Sequence, residues 1–349
     1  MMTKMPAILN NDLERLIATT SSLWEPLRNA RIFITGGTGF FGRWLLASLL
    51  KANDVHCLNA TAVILTRDPA SFQKKNPELN CPKSVVLHCG EITNFHFPEG
   101  KFTHMIHAAS DLSQSNQPDP AGLIESTLRG CRRVMEFASA KSIKSVLYTS
   151  SGAVYGPMAP GRGPLPEDSP VTALPLKASS AYAEAKRLGE MMCVLDAESH
   201  GISVKIARGF AFIGPYLPLE SHLAAASFMR SALRGEDIVI QGHGKTIRSY
   251  LYGSDLAQWL WTILLHGQHA HPYNVGSDNP ISIQSLAEAI IATCGSKSRL
   301  RILKSMRHNE ESEVYLPDIR RARNELKLDI FTKFDDAILN TFLHHQQIR

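Results

Sequence analysis

No two of the six cysteines (Cys57, Cys81, Cys89, Cys131, Cys193 and Cys294) stand closer than eight positions. That spacing excludes a C-x-x-C zinc or redox motif and suits buried, reduced thiols. The 14 histidines give no ligand spacing either. His104/His107, His269/His271 and His344/His345 each lack a third partner, so no metal is expected. No apolar run approaches the ~20 residues of a membrane span. The longest candidate, Trp259–Leu265, reads as part of a buried helix. The opening MMTKMPAILNNDLERL turns polar after a few apolar residues. It is expected to carry no secretory leader, which points to the cytoplasm. No basic stripe accompanies the net charge of +5, which comes from 37 Lys+Arg against 32 Asp+Glu. Nucleic acid and membrane are therefore not expected as partners, whereas a mild positive balance suits a small anionic substrate. No internal repeat of 20–50 residues is visible.

What is present is an ordinary globular composition, 44% hydrophobic and 20% charged. The chain is long enough for two domains and for a core that needs no disulfide or metal. Residues 8–28 read as an amphipathic helix ended or kinked by Pro26. Apolar strands then alternate with helices. The strands are Arg31–Thr35, Ala62–Leu65, Ser84–Leu87, His104–His107, Ser145–Tyr148 and Val204–Ala207, and the helices between them include Arg43–Lys51, Leu123–Lys141 and Ser179–Ser199. Alternation of this kind predicts a parallel sheet covered by helices on both faces. Residues 67–83 are too polar for an assignment, and Gly156–Pro175 reads as a surface loop. Short strands (238–240, 273–275) and helices (223–234, 255–265, 282–293) follow. The expected fold is α/β: a Rossmann-type doubly wound parallel sheet over 30–210, preceded by a helical extension, 1–29. A smaller mixed α/β C-terminal substrate lobe, 211–349, is expected to be partly interleaved with the sheet.

The first strand ends in Gly36-Gly37-Thr38-Gly39-Phe40-Phe41-Gly42 and a helix follows. Gly36, Gly39 and Gly42 supply a tight turn, a close backbone approach for a pyrophosphate and close helix–strand packing. The free N–H groups and dipole of the helix start complete an anion site. A dinucleotide is therefore the expected cofactor. An acidic residue at the end of the second strand holds the adenosine ribose in NAD binders. Here that place holds Thr66, with Arg67 next, and a guanidinium there can pair with a 2′-phosphate. NADP is favoured, while Asp68 keeps NAD open.

Tyr182 and Lys186 stand at i and i+4, one turn apart on one helix face. A phenol beside an ammonium can serve as a base that takes a hydroxyl proton while hydride leaves the same carbon. The strand Ser145–Tyr148 runs into Thr149-Ser150-Ser151-Gly152-Ala153-Val154-Tyr155-Gly156, where Ser151 is the candidate partner of the reacting oxygen. Tyr155 has no lysine at +4 and reads as a pocket wall.

These segments resemble the extended short-chain dehydrogenase/reductase family, in its nucleotide-sugar epimerase/dehydratase branch. The likeness rests on GGTGFFG (36–42), His107-Ala108-Ala109-Ser110, TSSGAVYG (149–156), YAEAK (182–186), Ile213-Gly214-Pro215, Gly242-His243-Gly244 with Arg248-Ser249-Tyr250, Asp255-Leu256-Ala257 and Tyr273-Asn274-Val275-Gly276. The resemblance implies Ser151, Tyr182 and Lys186 as catalytic residues. It implies cofactor contacts from Gly36, Thr38, Gly39, Phe40, Phe41, Gly42, Thr66, Arg67, Glu91, Ile92, Ala108, Ala109, Ser110, Thr149, Tyr182, Lys186 and Phe210. Substrate contacts fall on Ser151, Gly152, Tyr182, Ala211 and Arg248, with Arg248 on a diphosphate. A nucleoside diphosphate sugar is the implied substrate and a homodimer the implied assembly, through helices that include 123–141 and 180–199.

The chain also departs from the family. Members that dehydrate carry an Asp-Glu pair where Gly152-Ala153 stand, and members that decarboxylate glucuronate tend to use an acid at the Ala153 place. An Asn is usual where Ala211 stands. The expectation is therefore an epimerase that oxidises a sugar carbon transiently, C4 foremost. Alternatives are an NADPH-dependent 4-keto-sugar reductase, a dehydratase or decarboxylase, and a non-catalytic dinucleotide-binding regulator.

Overall fold

The computed structural model describes residues 5–109, 119–156, 163–170, 176–305 and 312–347. In chain order the helices are α1 (Ala7–Thr19), α2 (Phe40–His56), α3 (Pro69–Lys75), α4 (Pro120–Ala140), α5 (Ala181–His200), α6 (Ala224–Arg234), α7 (Gly253–His266), α8 (Ile283–Thr293), α9 (Arg320–Leu326) and α10 (Phe334–Gln347). The strands are β1 (Arg31–Thr35), β2 (Thr61–Thr66), β3 (Val85–Cys89), β4 (His104–His107), β5 (Ser145–Ser151), β6 (Ser203–Gly209), β7 (Phe212–Ile213), β8 (Ile238–Ile240), β9 (Ile247–Arg248), β10 (Leu251–Tyr252), β11 (Pro272–Val275), β12 (Ile281–Ser282) and β13 (Leu300–Ile302).

Seven strands form one parallel sheet in the order β11-β6-β5-β4-β1-β2-β3. Side chains alternate across it. Ile32, Ile34 and Ile64 enter one core, while Phe33, Val63, Met105 and Val146 enter the other. Burial on both faces explains why these strands read as continuous apolar runs. Helices α2 and α7 pack together and cover the first face, and α4 and α5 pair over the second. The order reverses between β1 and β4, and the crevice at the carboxyl ends of such strands is where doubly wound sheets take ligands. β11, from late in the chain, completes the sheet beside β6. The other strands after β6 form three two-stranded pairs, β10-β7, β12-β9 and β13-β8.

The helix expected over 8–28 is shorter. α1 stops at Thr19, and two 3-10 turns, Ser21–Leu23 and Glu25–Leu27, follow. Pro26 lies inside the second turn and does not terminate the helix. Thr20 leaves helical geometry, donates its hydroxyl to the Leu16 carbonyl and accepts from Trp24 Nε1. The polar stretch after β2 does fold: Asp68 accepts from the Ser71 N–H as the N-cap of α3, with Pro69 at its first position. The described part of the expected surface loop is not all exposed. Leu165 and Glu167 are buried, and Leu165 bridges to Pro317.

All four tryptophans (Trp24, Trp44, Trp259 and Trp261) sit in the core between α1, α2 and α7 and are fully buried. Trp24 meets Trp261 edge-on at 5.9 Å, and Trp261 donates to Ser48. α1 is pinned there by Asp12, which accepts from the Tyr252 hydroxyl and lies 3.5 Å from Arg15. Burial pushes the Asp12 carboxyl up from 3.8 to about 6, with Asp255 adding to the rise, while Tyr252 and Arg15 oppose it. A carboxyl whose folded value lies above its unfolded one stabilises the fold below pH ~4, and that contribution fades as pH rises through 6. Asp12→Asn keeps an acceptor for Tyr252 and removes the titration. Between pH 5 and 7 the wild type should therefore lose about 1 kcal/mol relative to the variant in urea unfolding. Parallel pH profiles for the two proteins would contradict this assignment.

Candidate active site

The glycine turn shapes the crevice beside β1. Gly36 has φ +70°, and a Cβ there would lie 2.4 Å from the Ala108 carbonyl. At Gly42 a Cβ would meet the Gly37 backbone at 2.2 Å, so only glycine lets α2 start this close to the turn. Gly39 is the N-cap of α2 and makes no side-chain cap bond, and the first turn carries no acid. Free amides and the positive helix end therefore face the crevice, a fit for a dinucleotide pyrophosphate. Ala108 and Ala109 border the turn: the Ala109 N–H donates to Thr35, whose hydroxyl pairs with His107. Ser110 lies outside the described residues. Ile92 packs under α4 at Gly130.

At the end of β2, Thr66 is buried and accepts from the Asp68 N–H. The Asp68 carboxylate is already engaged as the α3 cap, whereas Arg67 is exposed, 3.9 Å from Glu91. Arg67 is thus loosely held at this edge, and the acid that could have replaced the missing one is tied down.

β5 delivers Thr149 and Ser151, and α5 delivers Tyr182 and Lys186. Lys186 is 4% exposed. Its Nζ donates to the Thr149 carbonyl at 3.0 Å and lies 5.2 Å from the Tyr148 ring centre. Tyr182 is half-buried on the same helix face. Ser151 Oγ accepts from the Ala153 N–H at 3.2 Å. Gly152 opens a short 3-10 turn after β5, Gly152–Tyr155. Tyr155 is used structurally: its hydroxyl donates to Asn274 at 2.7 Å and accepts from Arg208 at 3.1 Å, and burial pushes the phenol up to about 12. It is buried in this network and is not among the residues that line the cavity, so the pocket wall expected from the sequence is not where Tyr155 stands.

A cavity of about 690 Å3 opens beside this group. It is lined by Phe40 and Phe41 from the glycine turn, Phe210 and Ala211 after β6, Arg248 from β9, and Tyr315. His222, Gln241 and His243 line it as well. A volume of this order suits a ligand larger than a simple sugar. Arg248 is held by Glu313 at 3.2 Å and lies 5.2 Å from the Tyr315 ring centre. Among the described residues no group of three metal-ligating side chains occurs, and no helix is long and apolar enough to cross a membrane.

Tyr315 was not expected from the sequence. It stacks on Phe210 with ring centres 4.7 Å apart, and a Cβ built on Gly152, next to Ser151, would lie 2.5 Å from its hydroxyl. Its segment carries no periodicity. Residues 313–315 reach the site by a long-range parallel bridge, Ile247 to Val314, which local pattern cannot reveal.

A model described as the NAD dependent epimerase/dehydratase family matches residues 32–276. UDP-glucuronic acid decarboxylase 3 of Arabidopsis thaliana is 25% identical over 309 residues, covering 86% of this chain and 87% of the relative. The fold is shared with UDP-N-acetylglucosamine 4-epimerase from Methanobrevibacter ruminantium (TM-score 0.77, 21% identity, 92% of this chain and 99% of the other). It is shared also with DesIV, a dTDP-glucose 4,6-dehydratase from Streptomyces venezuelae solved with NAD bound (TM-score 0.76, 20% identity, 91% and 97%).

Proposed function

Because the chain belongs to the NAD-dependent epimerase/dehydratase family, we propose that it is a nucleotide-sugar epimerase that oxidises a sugar carbon, C4 foremost, and reduces it again on the other face. The observation that supports this reading is that Lys186 is fixed on the Thr149 carbonyl of the strand that ends in Ser151, one turn from Tyr182 on α5, while residues 152 and 153 offer no acid. Neither Gly152 nor Ala153 can move the proton that elimination of water needs.

A dinucleotide bound along the glycine turn supplies a hydride acceptor and donor. Tyr182 takes the sugar hydroxyl proton, and Ser151 donates a hydrogen bond to the oxygen that becomes a carbonyl. Lys186, fixed on the Thr149 carbonyl, keeps positive charge one turn from the phenol. Gly36, Thr38, Gly39, Phe40, Phe41 and Gly42 form the cofactor cradle with Ala108 and Ala109, and Phe210, Ala211 and Arg248 face the nucleotide-sugar side. The guanidinium of Arg248 can exchange Glu313 for a diphosphate, since paired phosphate oxygens match its fork.

The test is incubation with UDP-glucose, UDP-glucuronic acid, UDP-N-acetylglucosamine and dTDP-glucose, read by proton NMR. The expected product is the C4 epimer of one of them, with no net change at 340 nm. Release of CO2 from UDP-glucuronic acid would instead assign decarboxylation. A panel left unconverted, with the dinucleotide bound, would favour a regulator.

A second reading, an NADPH-dependent keto-sugar reductase, is supported by Thr66 and Arg67 at the ribose end. On either reading NADP is the expected cofactor. Arg67→Ala should weaken NADP binding by about 10- to 100-fold, the loss of a charged hydrogen bond, and leave NAD unchanged. Equal losses for both dinucleotides, measured by calorimetry, would refute that preference.

A homodimer fits the α4–α5 pair. Leu188, Met191 and Leu195 recur along α5 and are exposed by 46%, 59% and 54%. Leu195→Glu should convert the dimer to monomers in sedimentation. The free thiols fit a reducing compartment such as the cytoplasm.

A further inference from the structure

Arg248 and Glu313 are the only residues of the Lys, Arg, Asp and Glu types among the described residues that line the cavity. Much of the wall around them is apolar, including Phe40, Phe41, Phe212 and Ile240. A charge beside such a wall is screened less than one on an open surface, so its sign matters to a ligand.

The pair is built into the backbone. The Ile247 N–H donates to the Glu313 carbonyl at 2.9 Å, and the Tyr315 N–H donates to the Ile247 carbonyl at 3.0 Å. Arg248 pairs on its other side with Ile281 of β12. One terminal nitrogen of Arg248 donates to the Ile247 carbonyl at 3.0 Å and the other to Glu313 Oε1 at 3.2 Å. Glu313 and Tyr315 flank the bridging residue Val314, and both line the cavity. Tyr315 abuts Gly152, beside Ser151, since a Cβ built there would lie 2.5 Å from the Tyr315 hydroxyl. Two residues of chain span about 7 Å at most, so the Glu313 carboxylate shares one chamber with a sugar held at Ser151.

A nucleoside diphosphate sugar with a neutral sugar carries its negative charge on the diphosphate alone. The Arg248 and Glu313 side chains are 24% and 56% exposed. A pair this open to water is weak, and a diphosphate matches the guanidinium fork, so the ligand displaces the carboxylate. Glu313 then faces the rest of the ligand without its cation. The hydroxyl groups of a neutral sugar can donate to it. A uronate brings a further negative charge instead, and Lys186 is already committed to the Thr149 carbonyl.

We propose that Glu313 is a specificity-determining residue that selects nucleoside diphosphate sugars with an uncharged sugar and penalises uronates. This rests on the nucleotide-sugar reading given above. The penalty is Coulombic, so it acts on binding and weakens as salt rises.

The experiment is calorimetric titration of the protein as purified, wild type and Glu313→Gln, with UDP-glucose and with UDP-glucuronic acid. Glutamine keeps an oxygen for the Arg248 guanidinium and removes the charge, and a thermal melt establishes that the variant is folded. The wild type should bind UDP-glucose about tenfold more tightly than UDP-glucuronic acid. Glu313→Gln should tighten UDP-glucose about threefold and UDP-glucuronic acid about 10- to 30-fold, the scale of one like charge removed from a partly screened chamber. The wild-type preference should also shrink between ~50 and ~500 mM NaCl, which a merely structural role would not cause. An unchanged ratio in Glu313→Gln, a wild type that prefers the uronate, or a preference that survives high salt would overturn the proposal. Equal binding of both ligands by the wild type sinks it and leaves the nucleotide-sugar reading standing, whereas binding of neither ligand sinks both.

Discussion

Tyr182→Phe should lower kcat by roughly 10²- to 10⁴-fold, the range of a lost general base, while the folded stability stays within about 0.5 kcal/mol. The expectation follows from where the side chain sits. Its ring is half-buried on α5, one turn before a lysine whose ammonium is committed to a backbone carbonyl. Phenylalanine keeps the ring and the packing and deletes only the proton acceptor. KM for the nucleotide sugar should therefore move little if, as proposed, the nucleotide is held along the cavity lined by Phe210 and Arg248, which Tyr182 does not line. Rapid-quench and steady-state assays on the substrate found by NMR read both constants. A variant that retained full turnover would remove Tyr182 from the chemistry, and Tyr315 would then be the phenol to test next.

The second large effect concerns stability. Arg208 and Glu190 form a bidentate pair, with Nε–Oε1 at 3.0 Å and an outer nitrogen–Oε2 at 2.8 Å. The side chains are only 12% and 11% exposed. The other terminal nitrogen of Arg208 donates to the Tyr155 hydroxyl and the Glu167 carbonyl. Asn274, fully buried, extends the network: its side chain donates to the carbonyls of Leu165 and Asp318, and its N–H donates to Glu167. Replacing Arg208 with Met strands a carboxylate in the interior, and loss of one partner of such a pair costs about 3–5 kcal/mol. The urea midpoint should fall accordingly. Removing both charges, as in Arg208→Met with Glu190→Leu, should restore much of the loss, since paired desolvation vanishes with the charges. If the single variant unfolded at the wild-type midpoint, the network would be ornamental. Glu190 lies one turn beyond Lys186 on α5, so the single variant should also be a poor enzyme before it unfolds.

Legibility in the sequence followed the range of the interactions. β1 and β4 were readable to the residue because both of their faces are buried, and continuous apolar runs such as Arg31–Thr35 have few other fates. The glycine turn was readable because Gly36 and Gly42 answer a steric demand set within a few residues. α3 was missed although Asp68-Pro69 is a cap signal, since the Gln and Lys residues behind it hid any apolar stripe. α1 is shorter than the spacing predicts because Leu23 and Leu27 continue the hydrophobic pattern through two turns that are not α-helical. Tyr315 and Glu313 could not be found that way. Their place is decided by a bridge to Ile247, some 65 residues back, and nothing in VYLPD announces it. Arg248 was legible as a cation, and it lines the cavity, but its pairing with Glu313 was not legible.

The crowding of every indole into the α1–α2–α7 core has a spectroscopic consequence. Intrinsic fluorescence excited at 295 nm comes from one side of the sheet only, and no tryptophan lines the cavity. Emission will thus track the docking of the first helix through Trp24 and Trp261 while remaining blind to direct contact with a sugar. A red shift on mild heating signals the amino-terminal helix peeling away, and an unchanged spectrum during a titration says nothing about whether a ligand has entered.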